Sequence, residues 1–250
     1  MGDQHYRCFV QKKNGKERDI EEPLPKLRKV HCRIASLLCR IEVFDGLHSG
    51  RKGRSNISNA LAHLGDNRNA ITCDITKFYP TTRRTHIFDF FYNTMECSPD
   101  VADLLSKLVS YEEHIPTGSQ ISMPLAYFSN KRMFDEIEAA ASSTQSVLTI
   151  FVDDLTISGP NLQKSFIKEL ERIVEKHGHK INRSKTRFYS SSDIKLITGA
   201  AIDGNSIFPR NKHLKALQDD LSEWFETPTK KAKPISRILG RMTFIGSIEP

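Results

Sequence analysis

The chain has 250 residues, which is enough for one large domain or two small ones. Its composition, with 38% hydrophobic and 27% charged residues, is typical of soluble globular proteins. The formal net charge is +7, which favours a polyanionic partner without establishing one. No apolar run approaches the roughly 18 residues of a membrane span. The polar N-terminus also has no signal-peptide core.

Cysteine usage indicates a reducing compartment. The five cysteines are odd in number and form no C-x-x-C pair. This pattern argues for free thiols and against a disulfide framework or a zinc site. We therefore expect a cytoplasmic protein that has no membrane partner.

The first 25 residues are polar and basic and predict a hairpin or loop around Gly15. Lys16 and Arg18 could grip a triphosphate or a nucleic-acid backbone there, although a solvated turn fits the pattern as well. Apolar spacing predicts a helix over residues 26–44. A Gly-rich basic loop follows, and then a short helix that ends near Leu64. His63 in that helix is expected to pack or cap rather than bind a metal.

Residues 70–75 predict a buried strand that ends in an acid, Asp74. Such a strand end is a common place for a functional carboxylate, but an acid there is also common in plain α/β proteins. Helices are expected over residues 83–95 and 99–110. After the loop that contains Gly118, one long helix is expected from about Gln120 to Ala141.

The most informative stretch is residues 147–158, in which two apolar, β-prone runs flank Asp153-Asp154. The pattern predicts a hairpin with both acids in the turn. Two such close carboxylates repel each other and raise each other's pKa, so a Lys, an Arg or a divalent metal is expected beside them. Hard oxygen ligands suit Mg²⁺. A plain hairpin turn is the alternative, because Asp is common in turns.

The last third of the chain continues the alternation of elements. An amphipathic helix is expected over 163–177, then a basic loop over 180–186 and strands over 186–189 and 194–202. Helices are expected from Pro209 and from about Pro234. Because the chain stops inside a helical pattern, we expect a further module to follow.

Six short motifs stand out along the chain: Asp74-Ile75-Thr76-Lys77-Phe78-Tyr79-Pro80, Phe151-Val152-Asp153-Asp154, Pro116-Thr117-Gly118-Ser119-Gln120, Asn182-x-x-Lys185-Thr186, Asn59-Ala60-Leu61-Ala62-His63 and Ile197-Thr198-Gly199. With the order of the features above, they resemble reverse transcriptases, most closely the bacterial retron type. Two positions depart from the family pattern. Thr117 replaces the usual Gln, and Ile197 replaces the usual Val.

The resemblance implies an α+β, right-hand polymerase fold. Its antiparallel palm sheet would be backed by helices and joined to helical fingers and the start of a helical thumb. We expect fingers over residues 1–70 and a palm over 71–208, with a fingers-like helical portion at about 95–117. Residues 209–250 would form the beginning of the thumb.

The resemblance also implies an RNA-directed DNA polymerase that uses two Mg²⁺ ions, with Mn²⁺ as a possible substitute in vitro. Its residues fall into three groups. The catalytic and metal-binding group is Asp74, Ile75, Asp153, Asp154 and Lys185. The nucleotide-binding group is Lys16, Arg18, Phe78, Tyr79 and Gly118, with Tyr79 excluding a 2′-hydroxyl. The nucleic-acid-binding group is Arg51, Lys52, Arg54, Asn59, His63, Lys230, Lys231 and Lys233.

The implied partners are a structured noncoding RNA that serves as template and primer, its DNA product, and deoxynucleoside triphosphates. An effector protein in anti-phage defence is a further implied partner. Two alternatives remain open at this point. One is the reverse transcriptase of another prokaryotic defence system or of an intron. The other is an RNA-binding scaffold with an inactive palm.

Overall fold

The computed structural model describes residues 3–13, 15–226 and 232–248, without the side chains of residues 3, 13, 16 and 232–234. Strands and helices alternate along the chain in an α+β arrangement. In these ranges no helix is both long and apolar enough to cross a membrane.

The chain begins with an antiparallel hairpin of β1 (Tyr6–Lys13) and β2 (Lys16–Pro23), as the sequence predicts. Helix α1 (Pro25–Leu38) follows, with Pro25 in the first turn, where its missing N–H costs no helical hydrogen bond. The helix ends six residues before the predicted bound. It buries Leu27, His31, Ala35 and Leu38. His31 bonds the Ser119 hydroxyl (2.7 Å) and the Leu108 carbonyl (3.0 Å), which fixes α1 against the centre of the molecule.

A four-stranded antiparallel sheet forms the centre. Its strands are β3 (Asn69–Asp74), β4 (Val147–Phe151), β5 (Asp154–Gly159) and β6 (Arg187–Tyr189), in the order β4-β5-β3-β6. Residues 46–48 border the β4 edge, where Leu47 forms a parallel bridge with Ile150. Strands β3 and β5 are almost wholly buried, which agrees with their apolar sequences.

Helices cover this sheet. They are α2 (Asn56–Leu61), α3 (Phe78–Thr81), α4 (Arg84–Asp89), α5 (Pro99–Val109), α6 (Ser122–Ser129), α7 (Lys131–Ser143) and α8 (Phe166–Lys176), with a π-helical turn at Phe90–Thr94. The single helix expected over 120–141 is two helices, because Asn130 leaves helical geometry between them. The Asn130 amide donates to Thr82 Oγ1 and accepts from His179 Nε2, and these tertiary bonds hold the break.

A second antiparallel sheet contains β7 (Lys195–Ile197), β8 (Ala200–Asp203) and β9 (Ser206–Pro209). The single strand expected over 194–202 is therefore a hairpin, which turns at Thr198 and Gly199 with φ values of 39° and 100°. Helices α9 (Asn211–Glu226) and α10 (Ala232–Gly246) complete the described chain. A small core joins α2 to this sheet through Ile57, Ala60, Ile197, Ala200, Ile202 and Ile248.

The side chain of His63 joins the two strands of the β4–β5 hairpin. The side chain is fully buried, and its ring nitrogens lie 2.7 Å from Thr149 Oγ1 on β4 and 2.7 Å from Ser158 Oγ on β5. Burial lowers the pKa of His63 to about 3. The imidazole is therefore neutral in the folded protein, as its sequence context predicts for a packing residue.

This burial makes His63 a source of acid sensitivity. Below pH 6.5, His63 becomes protonated in the unfolded chain. In the folded chain it stays neutral until the pH falls to about 3. Stability therefore falls as the pH drops through that window, by at most about 1.4 kcal/mol per pH unit. We expect His63→Gln to be about 1–3 kcal/mol less stable at pH 7.5 but to lose less stability between pH 6.5 and 4.5. Urea denaturation across that range measures both effects.

His5→Gln is the matched control, because His5 is exposed on the N-terminal turn. The control should keep the wild-type pH dependence. Identical pH slopes for wild type and His63→Gln would contradict the assignment.

The β1–β2 hairpin is fixed to the molecule by the loop at Gly118. The Glu21 N–H donates to the Thr117 carbonyl (2.7 Å), and the Thr117 N–H donates to the Glu21 carboxylate (2.5 Å). Gly118 has φ = 122°, and a Cβ there would lie 2.8 Å from Ile20 Cγ2. This position thus needs glycine both for its backbone conformation and for the close approach of β2.

We expect Gly118→Ala to lower the free energy of unfolding by about 2–3 kcal/mol, since it combines a strained φ with a clash. Gly53→Ala is the control. Gly53 also has a positive φ (76°), but a Cβ at that position would meet no atom within 4 Å, so only a conformational cost of about 1 kcal/mol is expected. Adding Ile20→Ala to Gly118→Ala should recover part of the loss in urea denaturation. Equal losses at both glycines would show that contact with β2 is unimportant.

Candidate active site

Three carboxylates meet at one end of the central sheet. Asp74, Asp153 and Asp154 each offer an oxygen atom, and these atoms all lie within 4.8 Å of one another. Asp74 ends β3 and lies directly opposite Asp154, the first residue of β5. We call this cluster the acidic triad. It brings together three predicted residues that come from two separate stretches of the chain.

The turn between β4 and β5 is one residue earlier than predicted. Phe151 pairs with Asp154, so the loop residues are Val152 and Asp153, and Asp154 already belongs to the strand. Val152 has φ = 61°, a conformation that is unfavourable for a β-branched residue. Its N–H donates to Ser49 Oγ (3.0 Å), a contact from the loop that borders β4. The strained turn is thus held by a side chain distant in sequence.

Main-chain hydrogen bonds fix the acidic triad. The Ile75 N–H donates to the Asp153 carbonyl (2.8 Å), which joins the end of β3 to the β4–β5 turn. The Asn182 N–H donates to the Asp74 carbonyl (2.8 Å), so the basic loop over residues 180–186 lies against the same strand end. Backbone groups rather than side-chain attraction therefore set the positions of the three acids.

Lys185 supplies a positive charge to the acidic triad. Its Nζ donates to Asp74 Oδ2 at 2.5 Å, within a charge-assisted hydrogen bond. The Asp74 side chain is only 9% exposed, whereas that of Lys185 is 47% exposed. Lys185 is thus in direct contact with a member of the acidic triad.

The acids perturb one another. Burial, and then the charge of Asp74, raises the pKa of Asp153, while Lys185 and Arg18 act in the opposite direction. The pKa of Asp154 rises to about 6, first through partial loss of surrounding water, although the residue as a whole remains exposed, and then through the charges of Asp153 and Asp74. Like charges held together in this way store an unfavourable energy that a cation would relieve.

The acidic triad has the donor set for a divalent metal. Carboxylate oxygens are the preferred ligands of hard cations such as Mg²⁺, and Asp154 is exposed, which leaves the cluster open to solvent. The Ile75 side chain is fully buried, so this residue could contribute only its main-chain carbonyl. The residues present therefore fit a metal centre.

The two predicted aromatic residues occupy different environments. Tyr79 is half-buried beside the acidic triad, and burial followed by the charge of Asp153 raises its pKa to about 12. Phe78 is only 4% exposed and packs in the core against Phe134 and His179. Phe78 is thus a core residue in this structure, and its role in nucleotide binding stays a prediction. Phe78 supports Tyr79, whose ring lies 6.2 Å away at 28°.

The structure describes the surroundings of two of the three other nucleotide-binding candidates, Arg18 and Gly118. Arg18 on β2 is exposed, and its charge acts on Asp153, so the hairpin faces the acidic triad. The side chain of Lys16 lies outside the described residues. Gly118 approaches Ile20 and Glu21 rather than an open surface, so its observed close approach is to β2.

Several nucleic-acid-binding candidates have structural roles. His63 and Asn59 are 0% and 1% exposed, so their side chains are packed inside the protein in this structure, and their contact with nucleic acid stays a prediction. Arg51 donates to the carbonyls of Phe44, Asp45 and Leu47 and braces the loop that borders β4.

Other members of this group remain predictions. Lys52 and Arg54 are exposed, with Arg54 near Asp45. Lys230, Lys231 and the side chain of Lys233 lie outside the described residues.

Four supporting residues were missed by the sequence reasoning. Ser49 accepts the Val152 N–H, His31 binds Ser119, and Glu21 accepts the Thr117 N–H. His114 Nε2 lies 3.9 Å from the Glu21 carboxylate, and this neighbouring carboxylate raises the pKa of His114. Only His31 had a usable signal, because it falls on the buried stripe of α1 at helical spacing.

Comparison with known proteins gives several related sequences, including those of two retron enzymes. No family model matches the chain. It is 32% identical to the retron Se72 reverse transcriptase of Salmonella heidelberg over 191 residues, which is 72% of this chain and 49% of that protein. It is 24% identical to the retron Ec86 reverse transcriptase of Escherichia coli, over 99% of this chain and 78% of that protein. The chain thus spans about half the length of the Se72 protein.

The fold has neighbours among solved structures. A telomerase from Candida albicans, solved in complex with a fragment of telomeric RNA, aligns with a TM-score of 0.61 at 10% identity. The alignment covers 95% of this chain and 52% of the telomerase. At this identity the likeness concerns the fold alone, which is the expected right-hand polymerase fold with an antiparallel sheet backed by helices. Sequence similarity to retron enzymes, over 72% of the chain in one case and 99% in the other, shows that the chain resembles the bacterial retron-type reverse transcriptases.

Proposed function

We propose that this chain carries the polymerase centre of an RNA-directed DNA polymerase. The observation that carries the proposal is the acidic triad, in which three carboxylates and Lys185 converge on one sheet end although the carboxylates repel one another. DNA synthesis needs such a cluster, because a primer 3′-hydroxyl attacks the α-phosphate of a nucleotide that carries several negative charges. Positioning and charge stabilisation then supply most of the rate.

Asp74 and Asp153 would hold two Mg²⁺ ions, with Asp154 as a supporting ligand. When bound, two such ions activate the attacking oxygen and stabilise the leaving one. Mn²⁺ has similar preferences for oxygen ligands and could replace Mg²⁺ in vitro.

Lys185 and Arg18 would act on the triphosphate. Lys185 pairs with Asp74 in this structure, and an Asp74 carboxylate committed to a metal would release that ammonium. The freed group could then protonate the pyrophosphate or offset its charge. Arg18 extends from the hairpin toward the same centre and offers a bidentate fork for phosphate.

The proposed domains follow the polymerase fold. Residues 1–70 would be fingers, 71–208 the palm with a fingers-like helical portion at about 95–117, and 209–250 the beginning of the thumb. The hairpin and α1 support the first assignment, and the central sheet supports the second.

Similarity to the two retron enzymes supports a more specific proposal for the template, the primer and the nucleotides. Template and primer would be a structured noncoding RNA, extended with deoxynucleotides in a prokaryotic cytoplasm. An effector protein and a role in anti-phage defence follow from the same proposal.

We expect Asp153→Asn combined with Asp154→Asn to lower Mg²⁺-dependent nucleotide incorporation by about 10³-fold or more. The reason is that several kcal/mol of transition-state stabilisation depend on the metal ligands. Incorporation on a primed RNA template measures the loss, and binding of that RNA should persist.

Asp203→Asn is the matched control, since Asp203 is an exposed acid on β8. Its activity should equal that of the wild type. If the double variant retained wild-type activity, the polymerase centre would lie elsewhere. A wild-type chain that binds RNA but never incorporates nucleotides would instead support the scaffold alternative.

Tyr79 is proposed to exclude the 2′-hydroxyl of a ribonucleotide, because it lies beside Asp153 with its ring half-buried. We expect Tyr79→Ala to raise the relative use of ribonucleotides by about tenfold or more. Tyr79→Phe keeps the ring and should keep the selectivity. The ratio of single-nucleotide incorporation rates is the measurement, and an unchanged ratio in Tyr79→Ala would remove this role.

A further inference from the structure

Helix α1 presents a row of cations on the side opposite its buried face. Lys26, Lys29 and Arg33 are all exposed and follow one another at spacings of three and four residues. Such spacings place side chains on one helical face. We call these three residues the α1 basic face.

The charged side chains of α1 do not stabilise its helical conformation. Within Pro25–Leu38 there are four cations and no acid. Lys26 lies in the first turn, where the helix dipole disfavours positive charge. Lys29 lies one turn from both Lys26 and Arg33, and like charges at that spacing repel. The arrangement therefore opposes helix formation and is not explained by local stability.

Nor do neighbouring acids neutralise the α1 basic face. Arg28 lies 3.6 Å from the Glu22 carboxylate. In contrast, none of the three residues of the α1 basic face has an acidic partner within 4.0 Å in the described part of the chain. A surface of uncompensated cations is complementary to a polyanion.

A groove of about 590 Å³ adjoins this face, between the β1–β2 hairpin and the start of α1. Its lining includes three cations, Arg7, Arg28 and Lys29, one acid, Glu22, which lies beside Arg28, and the less polar residues Pro23, Leu24, Pro25 and Cys32. Beside it, the Arg7 guanidinium lies 5.4 Å from the centre of the Phe9 ring, and Phe9 is 39% exposed. Apolar surface bordered by cations and an exposed aromatic ring is suited to nucleotides, which combine flat bases with phosphates.

The face is turned away from the loop at Gly118. The opposite side of α1 contacts that loop through the hydrogen bond between His31 and Ser119. The α1 basic face and the groove lining also contain none of the residues of the acidic triad, so this surface is separate from that cluster.

We propose that the α1 basic face and its adjoining groove bind the sugar–phosphate backbone of RNA outside the polymerase centre. The contacts are to phosphates, so they anchor a folded RNA without reading its sequence. The inference rests on the proposed function for the identity of the polyanion as RNA.

The test removes three charges at once with Lys26→Gln, Lys29→Gln and Arg33→Gln. Binding of a fluorescein-labelled RNA hairpin is measured by anisotropy between about 50 and 200 mM salt. The logarithmic salt dependence of the affinity should become shallower by about 2–3, with a loss of about tenfold or more in affinity. Because the removed charges oppose the helix, the melting temperature should stay the same or rise.

The matched control is Lys164→Gln, Lys168→Gln and Arg132→Gln, which removes two lysines and one arginine from exposed positions elsewhere. It should keep the wild-type salt dependence. Primer extension on a short, unstructured template separates this proposal from the proposed function. The α1 variant should keep its rate on that template, whereas a failed polymerase proposal would show no activity even in the wild type.

Three results would overturn the proposal. The first is an unchanged salt dependence in the α1 variant, and the second is an equal loss in the control. The third is binding of phosphatidylglycerol vesicles that depends on the α1 basic face while RNA binding does not, which would indicate a membrane surface instead.

Discussion

The repulsion among Asp74, Asp153 and Asp154 is the constraint on which the site depends. Three carboxylates whose oxygens lie within 4.8 Å of one another separate unless the main chain holds them. Here the β3–β5 ladder places Asp74 opposite Asp154, and the Ile75 N–H binds the Asp153 carbonyl. The sheet thus holds the three carboxylates together despite their electrostatic repulsion. This repulsion is present before any ligand binds, as a preorganised cation site requires.

Buried hydrogen bonds between distant segments support that sheet. His63 joins β4 to β5, Ser49 holds the strained Val152 turn, and Asn130 links Thr82 to His179. In each case a polar side chain without access to water finds its partners in another element. Such satisfied contacts are specific in direction, so they fix positions that apolar packing alone leaves variable.

Much of the site was predictable because the relevant residues carry local signals. Asp74 ends an apolar strand, and Asp153-Asp154 interrupts an apolar hairpin. The breaks at Asn130 and Thr198 were not predictable, since tertiary hydrogen bonds and a left-handed turn override helical or extended patterns there. The burial of Phe78 and Asn59 was missed for a related reason. A motif identifies a residue type at a position, but burial depends on elements that pack from elsewhere in the chain.

The small core beneath α2 has a consequence for the order of folding. The central sheet is complete once Tyr189 is available, because its last strand, β6, ends there. The small core, in contrast, unites Ile57 with Ile248 and so spans most of the chain. Contacts of such long sequence separation form slowly. During synthesis, the sheet that carries the three aspartates can therefore assemble on the ribosome, whereas α2 packs against Ile248 only after α10 has emerged.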